Sequence, residues 1–371
     1  MKNGNTRVGP FCSLVVLTLL VLFFILIPAY RGKAGNDIVS ALKQVNPVCQ
    51  EEELALLMVR ESLVSEQGLI VQKLEGGYPS NYALLESMGQ LLEYAVLAGD
   101  ENLFAGALKV TFNSFKTREG YYAWRLDGGI PEKATALVDE LRIIRVLSAL
   151  DDGGKYDRFR TELTRSIYTY DVDNGKLVDF YDAKSRKTAD RLSLFFIDVL
   201  ALEELSRRDS RFDRPVDQAK NILRAAPQDE HGFFPAAYDY REEKYVFPSI
   251  VNMVENIHTA MNYLEVGGRI EPFREFLEQE IAAGRIYISY DRSGKPAVEA
   301  ESAAVYALAC QLFLKLREQE NAEFCYQRML DFQMKDEGIL KGGFGDRASL
   351  TVYAFDQLEA LKTIRMREGN R

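Results

Sequence analysis

Carboxylates and aromatic rings gather in the segments that lead into apolar helical stretches. Before Glu86 the chain reads Tyr78-Pro79-Ser80-Asn81-Tyr82, and before Asp139-Glu140 it reads Tyr121-Tyr122-Ala123-Trp124-Arg125-Leu126-Asp127. Asp179-Phe180-Tyr181-Asp182, Tyr238-Asp239-Tyr240, Tyr290-Asp291 and Phe344-Gly345-Asp346 repeat the combination further on. One such aromatic in a loop is readily explained by packing against a helix end; recurrence in nearly every loop suggests a shared site. Aromatic faces stack on the apolar faces of sugar rings, and carboxylates hydrogen-bond hydroxyl groups. Two carboxylates flanking a glycosidic bond hydrolyse it when one stays protonated as the acid and the other serves as base or nucleophile. This chemistry needs neither histidine nor metal. The chain holds 2 His and 4 Cys with no Cys-x-x-Cys pair, which argues against zinc sites and thioredoxin-type chemistry. No metal and no cofactor are expected.

The elements that must position these residues are helices. From residue 38 the apolar residues recur at helical spacing, as in Ile38, Leu42 and Val45. A pair of helices repeats about every 50 residues, the second more apolar than the first. The second helices are predicted to begin near Glu86, Asp139, Arg191, Ile250, Ser302 and Leu350. Amphipathic partners are predicted over Glu101–Lys116, Tyr156–Tyr168, Val216–Arg224, Pro272–Ala283 and Ala322–Met334. Six hairpins with apolar inner helices fit a closed all-α ring, an (α/α)6 toroid. An open solenoid would need polar caps and more similar repeats. The 371 residues allow two domains by length, but no Pro-, Gly- or Ser-rich linker divides them. In a toroid the loops before the inner helices converge on one mouth, where the aromatic and acidic residues would meet.

Residues 11–27 read FCSLVVLTLLVLFFILI without a charge, after Lys2 and Arg7 and before Arg31 and Lys33. That length just spans a bilayer and exceeds a usual signal-peptide core. The reading is a cytoplasmic N-terminus over residues 1–10, a transmembrane signal anchor over 11–30, a short linker over 31–37 and one catalytic-type domain over 38–371. The charge bias places that domain outside the cytoplasm, as a single-pass cell-membrane protein. The net charge of −9 argues against a nucleic-acid partner.

Glu86-Ser87-Met88-Gly89-Gln90, followed by Tyr94-Ala95-Val96-Leu97-Ala98-Gly99-Asp100, resembles the signature of glycoside hydrolase family 8. Tyr122 to Asp127 resembles that family's A-W-R-W-like stretch, and Ala134-Thr135 to Ile143 resembles its A-T-D-A-D-L-D-I helix start. The resemblance implies the (α/α)6 toroid, an inverting mechanism and Glu86 as general acid. Ser65-Glu66-Gln67-Gly68 looks superficially alike but lacks the downstream A-G-D, so Glu86 is preferred over Glu66. Asp139 or Glu140 would hold a sugar beside the cleaved bond, although Ala136 stands where an aspartate is expected. The family's base lies on a Y-D-A-x-R-like motif. Tyr181-Asp182-Ala183 is the nearest local match, with Arg186 one position late; Asp190-Arg191 and Tyr238-Asp239 are alternatives.

The expected activity is therefore endo-hydrolysis of a secreted or cell-surface polysaccharide, linked to exopolysaccharide production or trimming. Asp182 is the first candidate base, with Asp190 or Asp239 in its place. Tyr82, Trp124, Arg125, Asp127, Asp139, Glu140, Tyr181 and Tyr238 are the candidate sugar-binding residues. Expected partners are the polysaccharide, the lipid bilayer through the N-terminal helix, and an exopolysaccharide synthesis complex. The competing reading is a non-catalytic polysaccharide-binding or export-assisting protein on the same scaffold. A lyase acting on a uronic acid, with Tyr238 or His231 as base, is a third.

Overall fold

The computed structural model describes residues 32–150, 153–336 and 338–369. Among them are thirteen α-helices. Six inner helices are α3 (Leu85–Leu97), α5 (Leu137–Ser148), α7 (Val199–Arg208), α9 (Met253–Glu265), α11 (Ala303–Leu316) and α13 (Ala354–Gly369). Each packs on the next in that order, and α13 packs back on α3, so the ring closes. The outer partners are α2 (Gln50–Met58), α4 (Glu101–Phe115), α6 (Asp157–Tyr170), α8 (Asp213–Arg224), α10 (Glu271–Ala282) and α12 (Gln319–Asp331). An additional helix, α1 (Lys33–Gln44), packs on α4. It begins inside the stretch expected to be a linker, because Ile38 and Leu42 are buried along it. The anchor expected over residues 11–30 lies outside the described residues. Among the described residues no helix is long and apolar enough to cross a membrane.

Sequence dictates the hairpins through caps and buried faces. The Ala98-Gly99-Asp100 turn shows how. Ala98 caps α3, Gly99 takes the left-handed conformation at φ 65°, and the Asp100 carboxylate accepts from Leu103 N at 2.8 Å to start α4. Ser302 and Asn252 cap α11 and α9 in the same way. The most apolar inner helix, α11, is buried from Ala303 to Phe313. Cys310 and Cys325 face each other's helices across the α11–α12 hairpin as buried free thiols.

Short antiparallel strands stitch the loops before successive inner helices together. Tyr82–Leu84 before α3 pairs with Arg125–Asp127 before α5. Ala134 bridges to Asp182 before α7, and Arg191–Ser193 pairs with Ala237–Asp239 before α9. Ile250–Asn252 pairs with Ser289–Asp291 before α11, and Thr351–Tyr353 before α13 pairs with Lys73–Glu75. These pairings hold the leading ends of the inner helices at one face, which is the mouth.

The third inner helix differs from expectation. It does not begin at Arg191: that residue opens a strand, Leu194–Phe196 form a 3-10 turn, and α7 starts at Val199. Its true cap is Asp198, whose carboxylate accepts from Ala201 N at 3.1 Å. The apolar run Leu192 to Ile197 mimics helical periodicity while being a buried approach segment.

Candidate active site

The axis of the ring is polar. On α3, Glu86, Gln90 and Glu93 lie along one helical face, at spacings of four and three. They meet Arg142 from α5 and Glu359, Lys362 and Thr363 from α13. Gln90 Nε2 donates to Glu359 Oε1 at 2.8 Å, and Gln311 Nε2 from α11 donates to Glu359 Oε2 at 3.0 Å. Lys362 Nζ lies 2.7 Å from Glu359 and 2.5 Å from Glu93. Arg142 Nη1 stands 3.2 Å from Glu93, while its Nη2 reaches to 3.9 Å from Glu86 Oε1. Gly89 makes room for this arginine: a Cβ there would sit 2.7 Å from Arg142 Cδ.

Toward the mouth the pairing stops. Among the described residues Glu86, in the first turn of α3, has only that 3.9 Å approach of Arg142, and its side chain is 30% exposed. Asp139, in the first turn of α5, is buried and makes no side-chain hydrogen bond or ion pair among the described residues. Burial raises the Glu86 carboxyl; Arg142 pulls it down and Glu359 pushes it up again. Asp139 is raised well above the usual aspartate range by burial, then by the neighbouring Glu86. A carboxyl raised in this way holds its proton to higher pH, as a general acid must. Deeper in, Lys362 and Arg142 overcome burial and hold Glu359 down at about 2.

The wall beside α3 and α5 is aromatic. The Arg125 guanidinium lies 4.7 Å from the ring centroids of both Tyr82 and Trp124, and it pairs with Glu132 at 2.9 Å. Trp124 O accepts from Leu85 N at 2.9 Å, so this wall is tied to the residue preceding Glu86. Asp127 is exposed opposite Tyr82.

The structure does not bring every candidate to the mouth. Glu140 is fully buried on the other side of α5, near Asp171 and Ser166. Asp171 is pushed up to about 7 by burial, eased by the neighbouring Glu140 and by Thr135, whose Oγ1 donates to it at 2.5 Å. These two acids form a buried pair behind the site, so Glu140 does not line the opening. Tyr181 packs among Tyr121 and Tyr170, and Tyr238 among Tyr240 and Tyr245.

Asp182 and Asp239 hold hairpin turns. Asp182 Oδ1 accepts from Lys184 N at 2.8 Å and Ser185 N at 3.2 Å; Asp239 Oδ1 accepts from Arg241 N at 2.8 Å and Glu242 N at 2.9 Å. Asp291 and Asp346 do the same in their hairpins. These bonds keep both candidate bases below the usual carboxylate range. Asp190 pairs with Arg241 at 2.9 Å.

One acidic residue at the mouth was not anticipated. Glu255, in the first turn of α9, is half-buried with no side-chain hydrogen bond or ion pair among the described residues. Arg191 and Asp179 face it, and Asp179 is held by Ser193 N at 2.6 Å, Ser193 Oγ at 2.8 Å and Arg191 Nε at 3.0 Å. The available signal was the spacing of Glu255 and His258, which places both on one helical face. Among the described residues no group of three or more His, Cys, Asp or Glu is placed to hold a metal ion.

No family model matches the chain. The protein YdaJ of Bacillus subtilis (strain 168), named as a lipoprotein, is 28% identical over 354 residues, covering 92% of this chain and 95% of its own. Among solved structures, a protein described as a novel alpha-amylase from Clostridium perfringens superposes with a TM-score of 0.77 at 20% identity. It covers 85% of this chain and 97% of that one. PssZ from Listeria monocytogenes superposes with a TM-score of 0.68 at 25% identity, covering 83% and 93%. A family 8 xylanase from Teredinibacter turnerae gives 0.58 at 11% identity, covering 93% and 98%. The fold of this chain is similar to that of the family 8 xylanase. A D-mannose isomerase also superposes, with a TM-score of 0.63 at 13% identity over 85% and 94%. The ring alone therefore does not select a reaction, and the side chains at the mouth must.

Proposed function

We propose that this chain is an endo-acting glycoside hydrolase that cleaves a polysaccharide by an inverting, two-carboxylate mechanism. The observation that carries the reading is Glu86: a poorly paired glutamic acid in the first turn of an inner helix, raised by burial, beside Asp139, which has no side-chain partner among the described residues. Glu86 donates its proton to the glycosidic oxygen as the C1–O bond breaks. Asp139 holds the sugar at the cleaved bond by its hydroxyls, and Trp124, Arg125, Tyr82 and Asp127 form the wall for the neighbouring sugar. Water attacks C1 from the opposite face and gives its proton to a second carboxylate. The likeness to xylanase and amylase structures supports a glycan substrate.

The further reading is a membrane-tethered enzyme acting outside the cytoplasm on the exopolysaccharide of its own cell. The uncharged run at residues 11–27 and the name of the Bacillus relative support it. The test is a reducing-end assay on carboxymethylcellulose, mixed-linkage β-glucan, xylan, soluble starch and the producing organism's own exopolysaccharide. Wild-type protein should shorten at least one, and Glu86→Gln should lose about 10²–10⁴-fold in rate with its melting temperature unchanged. The hairpin duties of Asp182 and Asp239 favour one competing reading, a polysaccharide-binding protein that cleaves nothing. Polymer binding without any new reducing ends would establish it.

A further inference from the structure

The hydrolase reading leaves the carboxylate opposite Glu86 to be named. Resting on that reading, we propose that Glu255 is the base that activates the attacking water across the mouth from Glu86. Round the ring, α9 is three helices from α3 in either direction, so the two face each other across the axis. Both glutamates occupy the first turn of their helix.

The face that α9 turns inward is marked by His258. The charges acting on it are Glu359, Arg142, Lys362 and Glu93, which come from α13, α5 and α3 across the axis. Glu255 precedes His258 by three residues and so shares that face, one turn nearer the mouth. Opposed axes in a ring of helices packed ~8–10 Å apart lie ~16–20 Å from each other, and a glutamate reaching inward covers ~5–6 Å of that on each side. The gap is on the order of 4–10 Å, which includes the ~6.5–9.5 Å that an attacking water requires in an inverting site.

Glu255 is also free to act. The carboxylates of Asp182 and Asp239 are committed to turns, and Asp190 is committed to Arg241. Asn252 Oδ1 accepts from Val254 N at 2.9 Å and Glu255 N at 3.3 Å, which fixes the backbone of this turn, and among the described residues the glutamate side chain makes no hydrogen bond or ion pair. Burial raises its carboxyl; Arg191 opposes and Asp179 adds to the rise. A carboxylate of raised proton affinity is a better proton acceptor than a fully solvated one. In the step, water oxygen bonds to C1 as the glycosidic C1–O bond breaks. The water proton goes to Glu255, and the leaving oxygen takes the proton of Glu86.

The experiment compares Glu255→Gln, Glu255→Ala and Asp239→Asn with Glu86→Gln on whichever polymer of the panel wild-type protein cleaves. Glu255→Gln should keep its melting temperature and lose about 10²–10⁴-fold in kcat, with KM nearly unchanged. Asp239→Asn should lose at most a few-fold. Azide needs no deprotonation, so adding it to Glu255→Ala should restore bond cleavage and yield a glycosyl azide of inverted configuration, detected by mass spectrometry and NMR. A merely structural role would not produce that product. Glu255→Gln retaining kcat within a few-fold, or Glu255→Ala inactive with and without azide, overturns the assignment. Wild-type protein that cleaves no polymer of the panel removes the hydrolase reading itself, and Glu255 as base with it.

Discussion

The inner helices carry acidic residues at two levels, and the two levels are treated differently. At the mouth, Glu86, Asp139 and Glu255 have no close hydrogen-bonded side-chain partner among the described residues. One to two turns deeper, Glu93 and Glu359 are clamped by Lys362 and Arg142 and by the amides of Gln90 and Gln311. The same residue type is raised in the first set and lowered in the second. Each set has a buried member, Asp139 at the mouth and Glu359 below it, so burial alone does not separate them. What separates them is whether cations and donors accompany the carboxylate. A buried charge that is fully accompanied belongs to the scaffold. A carboxyl left without company in an opening is a destabilising feature, and its retention points to use.

The largest effect that would break this comparison is at Glu359. Its carboxylate accepts from two amides and a lysine in the buried centre of the ring. Glu359→Leu leaves Lys362 with one partner fewer and strands the Gln90 amide, while Gln311 Nε2 keeps Thr363 Oγ1 at 2.9 Å. The expected loss is about 3–5 kcal/mol, read from urea or thermal unfolding. Glu86→Gln and Glu255→Gln strand nothing and should leave stability within about 0.5 kcal/mol of wild type. If the mouth variants unfolded and Glu359→Leu did not, the division into working and structural acids would be wrong.

Gly89→Ala tests the joint between the levels. The new Cβ would press on the Arg142 stem, so the arginine must shift within its cluster. The expected cost is about 1–3 kcal/mol of stability. Arg142 lowers the Glu86 carboxyl, so moving it away should raise Glu86 further. The alkaline limb of the pH–rate profile, set by loss of the acid's proton, should then shift to higher pH. A shift to lower pH would show that Arg142 does not act on Glu86 as described.

Much of this was legible in the sequence. Five outer helices are found within about three residues of their predicted bounds, because caps such as Asp100 and breaking glycines frame each apolar stripe. The polar axis was not legible. An inner helix such as α3 is apolar overall, and one polar residue per turn on its axial face is diluted in that average. The Tyr-Asp pairs were legible as a set of carboxylates but not as turn formers. An aspartate followed by Lys, Arg, Ser or Gly suits either a site or a hairpin, and only the backbone N–H positions decide. Glu255 carried no aromatic neighbour to mark it, and Asn252 three residues before it reads as an ordinary helix start.

The buried pair of Glu140 and Asp171 gives a smaller, pH-dependent contrast, since among the described residues no cation pairs with either acid. Asp171 ionises at about 7 in the folded chain and near the ordinary aspartate value of 3.8 when unfolded. Between those values the folded state holds more protons, so the pair's contribution is fully present below about pH 4 and is lost as pH rises through about 7. Asp171→Asn removes that titration and still accepts from Thr135. Its melting temperature relative to wild type should climb from pH 4 to pH 7 and then level off. A difference independent of pH would mean that burial does not raise the Asp171 carboxyl as described.

The smallest expected effect is at Trp124, where binding and positioning are separable. Its ring faces Arg125, which also faces Tyr82, and such a contact contributes about 0.5–1 kcal/mol at a partly exposed site. Its carbonyl, not its ring, holds Leu85 N and hence the start of α3. Trp124→Ala removes the ring and keeps the carbonyl. KM for a long polymer should therefore rise about 3–10-fold while kcat is nearly unchanged. Trp124→Phe should restore most of the loss by returning a stacking face. A fall in kcat with KM unchanged would mean instead that the ring orients Glu86, which would move Trp124 from the sugar-binding wall to the group that positions the acid.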